Sequence, residues 1–495
     1  MPASGVTKAV AGATRKNVFN QMSAVVTTVL VLAVSLGFAF RVSRSMEGKD
    51  VPTRTAMWLA YTTYPALIVH TVILIDVYSL TTAAGQGATF SGFVIGMWMS
   101  GAGIGCFAMW AMVKMHPNLW RKHMRCAYVV GAVVQTTGAV LYAASGACVH
   151  ICSMDLLALT LVLARFLGGF GFGLQVQLSI VAFSHAAPES TRAGLLLLYS
   201  IAAIVGTGLG PIVNVVQTQT YFLLASMFVK LSDFEVHSVP LWMCGAAQVA
   251  MLLPQCSLSF QLVPSFEHER DFVEEEYEKD SLQPRQAQVS TGGGNRLMIC
   301  GGLVVAIVRG FTVSSLEAAS SFVLEVGYHW NFQQVGLAIA VSFLFIFPLK
   351  SADPILSKCL SLTSRTRLYM GLTLAGLVGL YFFAERSPFF LIVADCVVFP
   401  CVYYSDALLW SQTTLFLEGS GSMFNMNNLS MLRMFTGNGG GRFMGAPAAR
   451  YQIVASGMKG YSLMQLAAAA VMYGLFELCM ARNLEKPTKE KIARQ

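Results

Sequence analysis

The chain has 495 residues, 55% hydrophobic and 12% charged, with a formal net charge of +8 and a mean hydropathy of +0.60. A water-soluble fold cannot hide that much apolar surface, so a soluble enzyme or binding domain is excluded and a chain dissolved in lipid is indicated. The Lys and Arg residues collect in breaks between apolar runs, as topology determinants do, so the basic balance does not mark a nucleic-acid surface.

The first apolar run, residues 22–40, is uncharged and long enough to span. Lys8, Arg15 and Lys16 precede it, and Arg41, Arg44, Lys49 and Arg54 follow, so flanking charge does not orient it. It reads as an extra peripheral span, a signal anchor or part of a targeting segment; no acidic residue occurs before Glu47.

Twelve core spans are predicted after it, near 57–80, 91–114, 125–145, 154–184, 193–216, 239–260, 297–322, 333–352, 367–384, 387–410, 425–448 and 461–481. Each matches the roughly 20 residues a helix needs to cross a hydrocarbon core about 30 Å thick. Only a helix satisfies its own backbone there. The run 154–184 exceeds one upright span and implies a tilted helix. Positive charge follows the even-numbered spans: Lys114, Arg121, Lys122 and Arg125, then Arg192, then Lys358, Arg365 and Arg367. The breaks 81–90 and 217–238 hold only Lys230, so the even breaks and the tail 482–495 are expected on the cytoplasmic side.

One long polar insert, 261–296, carries an acidic run from Asp271 to Asp280 and then a Gln/Ser/Gly stretch. It reads as a cytoplasmic linker between a half at 57–260 and a half at 297–481, as a solvated tether or as a regulatory segment. The eleven cysteines are scattered, mostly within apolar runs. Cys148 and Cys152 flank a loop expected on the far side, where a disulfide is open to them.

The halves look alike. LVLARFLGGFGFG (161–173) faces LIVADCVVFPCVYY (391–404), GTGLGP (206–211) faces GGGRFMGAP (439–447), and the break after span 2 faces SADPILSKCLSLTSRTR (351–367). A duplicated six-span unit suits a transporter with its site between two halves. ARFLGGFGFG, PESTR (188–192) and GTGLGP, in this order within twelve spans, resemble the major facilitator superfamily. That resemblance implies an all-α membrane fold of two six-helix bundles. It also implies that Gly206, Gly208, Gly210 and Pro211 let helices pack closely and bend, and that Arg192 and Asp353 belong to conserved loop motifs. The loop at 105–125 departs from the family in lacking its acidic residue, which Asp353 supplies in the second half. SSLEAASSFVLEVGYHWNFQQVG (314–336) resembles more closely a branch holding SPX-domain vacuolar phosphate transporters and a lysosomal subgroup, through Glu317, Tyr328, Trp330, Gln334 and Gly336. No SPX domain is read ahead of the spans, and LQVQLSIVAF (174–183) lacks that branch's basic residues, so phosphate is not carried over.

A charge at the bilayer centre costs about 2.5–3.5 kcal/mol, so ionisable residues in the spans are the candidates for a substrate or proton pathway. Glu317, deep in span 7, is placed either to exchange a proton or to hold a structural hydrogen bond. Arg165 starts span 4 as an anchor, a helix-holding pair or a substrate contact. Asp406 is read as paired or snorkelling, and Asp395 as a partner for an arginine of the other half. His70 either lines the cavity or is a satisfied buried histidine. Gln175 and Gln177 offer neutral hydrogen bonds but, two apart, not on one narrow face. Arg433 and Arg442, nine apart with Asn438 between them, are expected to share a helix face and form a basic lining for an anion, unless Arg433 lies at the interface.

No P-loop, dinucleotide fingerprint, HExxH, GxSxG or zinc spacing occurs, so neither enzymatic chemistry nor a cofactor or metal is expected. The expected function is secondary transport of a small solute by a monomer in an endomembrane or the plasma membrane. The alternative is a receptor or scaffold on the same fold.

Overall fold

The computed structural model describes residues 66–75, 77–147, 153–186, 203–212, 215, 293–413 and 423–481. The 22–40 run, Cys148 and Cys152, Arg192 with the PESTR motif, predicted span 6, the linker through 292 and the tail lie outside these residues. Among the described residues every regular element is a helix.

The first predicted span is α1 (Ala66–Leu74) and α2 (Val77–Ala83), bent by 60° at their junction. Then come α3 (Ala88–Met115), α4 (Pro117–Ala147), α5 (Met154–Ala186), α6 (Ala203–Ile212) and α7 (Gly293–Phe322). The second half continues with α8 (Phe332–Leu344), α9 (Ile346–Cys359), α10 (Leu362–Phe383), α11 (Pro388–Thr413), α12 (Met426–Arg433) and α13 (Phe443–Leu475). Among the described residues, eight helices are long and apolar enough to cross a membrane, or nine with the bent pair. One of them, Asn427–Ala481, turns at Gly457, whose φ of 70° divides predicted spans 11 and 12.

The structure adjusts three expectations. Pro117 starts α4 one residue after His116, so the basic break after α3 is itself helical; proline fits a first helical position, where its missing N–H has no partner to lose. Predicted span 8 is two helices, α8 and α9, and the polar SADP stretch belongs to the second. Met434–Arg442 is a π-helix. Nine α-helical steps, at 100° each, would put Arg433 and Arg442 on opposite faces, so the shared face expected from the sequence needs a different winding. The π stretch turns on the order of 80° per residue, which brings both round toward α7.

Solvent preference is inverted relative to a soluble protein. Leu159, Leu163, Val130, Val133, Phe389 and Leu463 are exposed on the outside, whereas Arg165, Glu317, Arg442 and Arg450 are buried. Lipid is the solvent that makes this arrangement favourable. In the first half α5 packs on both α3 and α4. A Cβ on Gly169 or Gly173 would run into the backbone of Trp98 or Ala102, and one on Gly101 or Gly105 into that of Phe166 or Phe170. The Gly-rich motif of α5 and the glycines of α3 thus admit each other's backbones reciprocally.

The halves meet through α6 with α8 and through α3 with the segment 434–450. Gly208 accepts Phe343 against its α-carbon, and Gly336 leaves room for Pro211 and Val215. Gly210 sits on Thr71, which donates to Thr207 O at 2.8 Å and ties α6 to α1. Gly206 is buried in the same helix.

Candidate functional site

A line of buried polar side chains crosses from one half to the other at mid-depth. On the first-half side Arg165, on α5, donates to His70 O at 2.9 Å, and its Nη2 lies 3.0 Å from His70 Nδ1. An arginine nitrogen only donates, so His70 Nδ1 accepts, and the neutral ring carries its proton on Nε2. Trp98 stacks on the imidazole at 4.7 Å and is itself stacked on Phe172, which fixes the ring. On the second-half side Arg442 donates to Glu317 Oε1. Between these two clamped groups His70 Nε2 faces Glu317 Oε2 at 3.9 Å, and neither atom has another hydrogen-bond partner. That gap exceeds a hydrogen bond by about 1 Å. A small movement of either half makes or breaks it.

A second cluster lies about two turns away, toward the side where α12 begins. Asp406 Oδ2 receives Arg433 Nη2 at 2.5 Å and lies 3.2 Å from Arg309 Nε. The Arg433 guanidinium rests 4.4 Å from the centre of the Trp410 ring, and that of Arg309 lies 5.8 Å from Tyr403. Tyr403 stands between the clusters, in the field of Arg442 and Glu317 as well as of Arg309 and Asp406.

A third cluster lies toward the opposite end. Arg450 is fully buried and donates to Ala318 O at 3.2 Å, to Ser321 Oγ at 3.3 Å and to Ser91 Oγ of α3. Nearby, Ser79 Oγ donates to Glu325 Oε1 at 3.2 Å. Ser79 and Ser91 belong to the first half, so both contacts close the halves at that end. Where α12 begins, Trp110 Nε1 donates to Asn428 Oδ1 at 2.8 Å and Gln177 Nε2 to Asn427 Oδ1 at 2.5 Å. The halves therefore touch above and below the central line.

Of the sequence candidates, Glu317, His70, Arg165 and Arg442 come together, and Asp406 and Arg433 form the adjacent cluster. Arg433 and Arg442 each hold a separate carboxylate rather than one common lining. Gln175 turns into its own bundle and donates to Tyr128 O at 3.3 Å, while Gln177 crosses to the other half. Their spacing of two produces that divergence. Asp395 is buried on α11 with no ion pair among the described residues, and several arginines of the other half, Arg192 among them, lie outside the described side chains. Asp353 is the hub of a loop cluster, receiving Arg365 at 3.0 and 3.1 Å and Tyr369 at 3.1 Å. The motif that closes span 7 is structural beyond Glu317. Tyr328 donates to Ala384 O, and Asn331 and Gln334 form the capping box of α8.

No protein-family model matches the chain. A curated relative, the arabinose-proton symporter of Bacillus subtilis (strain 168), is 32% identical over 118 residues, which is 24% of this chain and 23% of that protein. Solved structures match over far more of the length. A D-xylose-proton symporter superposes with a TM-score of 0.60 at 17% identity, covering 84% of this chain and 96% of that one. The xylose transporter XylE of E. coli, partially occluded and inward open, gives 0.59 at 14% identity over 85% and 95%. The human organic anion transporter MFSD10 gives 0.56 at 14% identity over 85% and 98%. The chain has the major facilitator fold. The likeness is at the level of architecture.

Arg309, Arg450 and Trp98 complete the three clusters without having been singled out in the sequence. The two arginines carried a legible signal, since VVAIVRGFTV (304–313) and GAPAARYQIV (445–454) each place one cation inside an apolar run. Trp98 carried none, because an aromatic in an apolar run is ordinarily packing.

Proposed function

We propose that the chain is a secondary transporter that moves a small solute by alternating access and couples it to protons. The observation that carries this reading is the His70–Glu317 approach across the halves, each group clamped by an arginine of its own half. Ionised Glu317 holds Arg442 and attracts the His70 N–H. Protonated Glu317 loses both charge interactions. Proton occupancy is thereby tied to whether the halves are held together at mid-depth, which is the linkage a symporter needs. The proton symporters among the structural neighbours support the class of mechanism. The chain's resemblance to the vacuolar and lysosomal branch supports an endomembrane location, and we propose a monomer as the working unit.

The test is uptake into proteoliposomes with and without an inward proton gradient. Glu317→Gln, which mimics the protonated acid, is expected to abolish gradient-driven accumulation while retaining solute exchange. Gradient-driven uptake unchanged in that variant would sink proton coupling through this site. A second reading, a receptor or scaffold on the same fold, is favoured by the loop at 105–125, which lacks the acid that Asp353 supplies in the other half. It requires no flux of any solute and no effect of Glu317→Gln on function in cells.

A further inference from the structure

We propose that the solute is a monoanion whose carboxylate binds Arg309 and Arg433 in place of the Asp406 side chain. The proposal rests on the transport reading and names the substrate class of that same interior.

The charge balance leads to it. On the second-half side, the central line and the second cluster together hold three arginines, Arg309, Arg433 and Arg442, against two carboxylates, Glu317 and Asp406. Glu317 belongs to Arg442. That leaves two guanidinium groups on one Asp406, and both approach the same oxygen, Oδ2. Arg309 is 6% exposed, and its Nε, although 3.2 Å from that oxygen, makes no hydrogen bond. A buried, incompletely bonded cation is costly in a membrane interior, and a further carboxylate is the group that relieves it. A guanidinium pair presents donors in a planar fork suited to a carboxylate. One negative charge balances the cluster, whereas a dianion overshoots. Trp410 and Tyr403, against which the two arginines lie, supply flat apolar walls for the body of such a molecule.

In this arrangement Asp406 occupies the seat when cargo is absent and competes with it. Substitutions on the two sides of the pair therefore act in opposite directions. Calorimetric titration of the full chain in detergent would use benzoate and lactate as monocarboxylates, xylose and arabinose as neutral solutes, and sulfate as a dianion. Saturable binding of at least one monocarboxylate is expected. Arg433→Gln and Arg309→Gln should weaken it at least tenfold, and Asp406→Asn should tighten it several-fold, each variant first checked for an unchanged melting profile. Arg433→Lys, which keeps the charge, should retain part of the affinity and covers the case in which a glutamine variant fails to fold. Binding of a pentose that Arg433→Gln leaves unchanged would overturn the proposal. Tighter binding of sulfate than of either monocarboxylate, or weakening by Asp406→Asn, would do the same. Monocarboxylate binding without uptake into proteoliposomes would remove the transport reading and leave this seat standing. Proton-driven pentose uptake insensitive to Arg433→Gln would do the reverse.

Discussion

Glu317 and Arg442 illustrate how buried charge is made tolerable one pair at a time. Both side chains are almost fully excluded from solvent. Removing one leaves the other as an uncompensated charge, which typically costs about 3–5 kcal/mol, whereas removing both is often neutral. Arg442→Gln alone is accordingly expected to depress folded yield and melting temperature, and Glu317→Gln combined with Arg442→Gln to recover most of that loss. Fluorescence-detected size exclusion across a temperature series measures both, and a double variant no better than the single one would contradict the pairing. The importance of these two residues was legible in the sequence because a charge inside an apolar run has to be explained. His70 was legible only as a candidate, since nothing in the chain says that it is gripped by Arg165 and stacked on Trp98. Asp395 was legible only as a buried carboxyl. Sequence shows that a carboxyl lies in an apolar run but not which group, hydroxyl or cation, meets it.

Among the elements, close helix packing and helix phase decide where these side chains arrive. A Cβ at Gly169 would meet the carbonyl of Trp98, while one at Gly371, on the outer side of α10, meets nothing within 4 Å. Gly169→Ala should therefore disrupt the α3–α5 contact and lower the melting temperature sharply. Gly371→Ala should leave it unchanged or raise it, since alanine is favoured over glycine in a helix by about 1 kcal/mol. Equal effects of the two would show that the contact is not tight. The Gly-rich span was readable as a packing device. The π-helical turn was not, because no sequence periodicity announces an extra residue in a turn. A regular α-helix would set Arg433 and Arg442 on opposite faces, so their convergence on α7 depends on that irregularity. Among the described residues, helix ends were readable to within a few residues, except where 117–125 and 351–359 continue as helix and where predicted span 11 runs past 448 to the turn at Gly457.

For the whole molecule, the halves are bridged at both ends around the central line. Ser79 with Glu325 and Ser91 with Arg450 hold one end, and Trp110 with Asn428 and Gln177 with Asn427 the other. Alternating access requires these bridges to open in turn. A short bis-maleimide linking cysteines placed at Ser79 and Glu325 should stop transport, as should one linking cysteines at Trp110 and Asn428. Uptake that survives either cross-link would show that the corresponding end need not part. The duplicated architecture was readable from the apolar runs and their flanking charges, and it makes its own prediction. Cysteines introduced at Asn118 and Ser361 should react with a membrane-impermeant reagent from the same side. Labelling from opposite sides would break the two-bundle topology.

The nine residues Met434–Arg442 wind through about two π-turns, which an α-helix would cover with roughly seven residues. Deleting Gly440, which bears no side chain and has no close neighbour but the Phe435 carbonyl, lets the stretch rewind into ordinary coils. Arg433 then swings roughly a quarter-turn around the axis relative to Arg442. Every charged group would survive, yet the two basic prongs would point along diverging bearings. The interior's specificity is thus stored partly as a rotational offset, which a comparison of amino-acid identities cannot register.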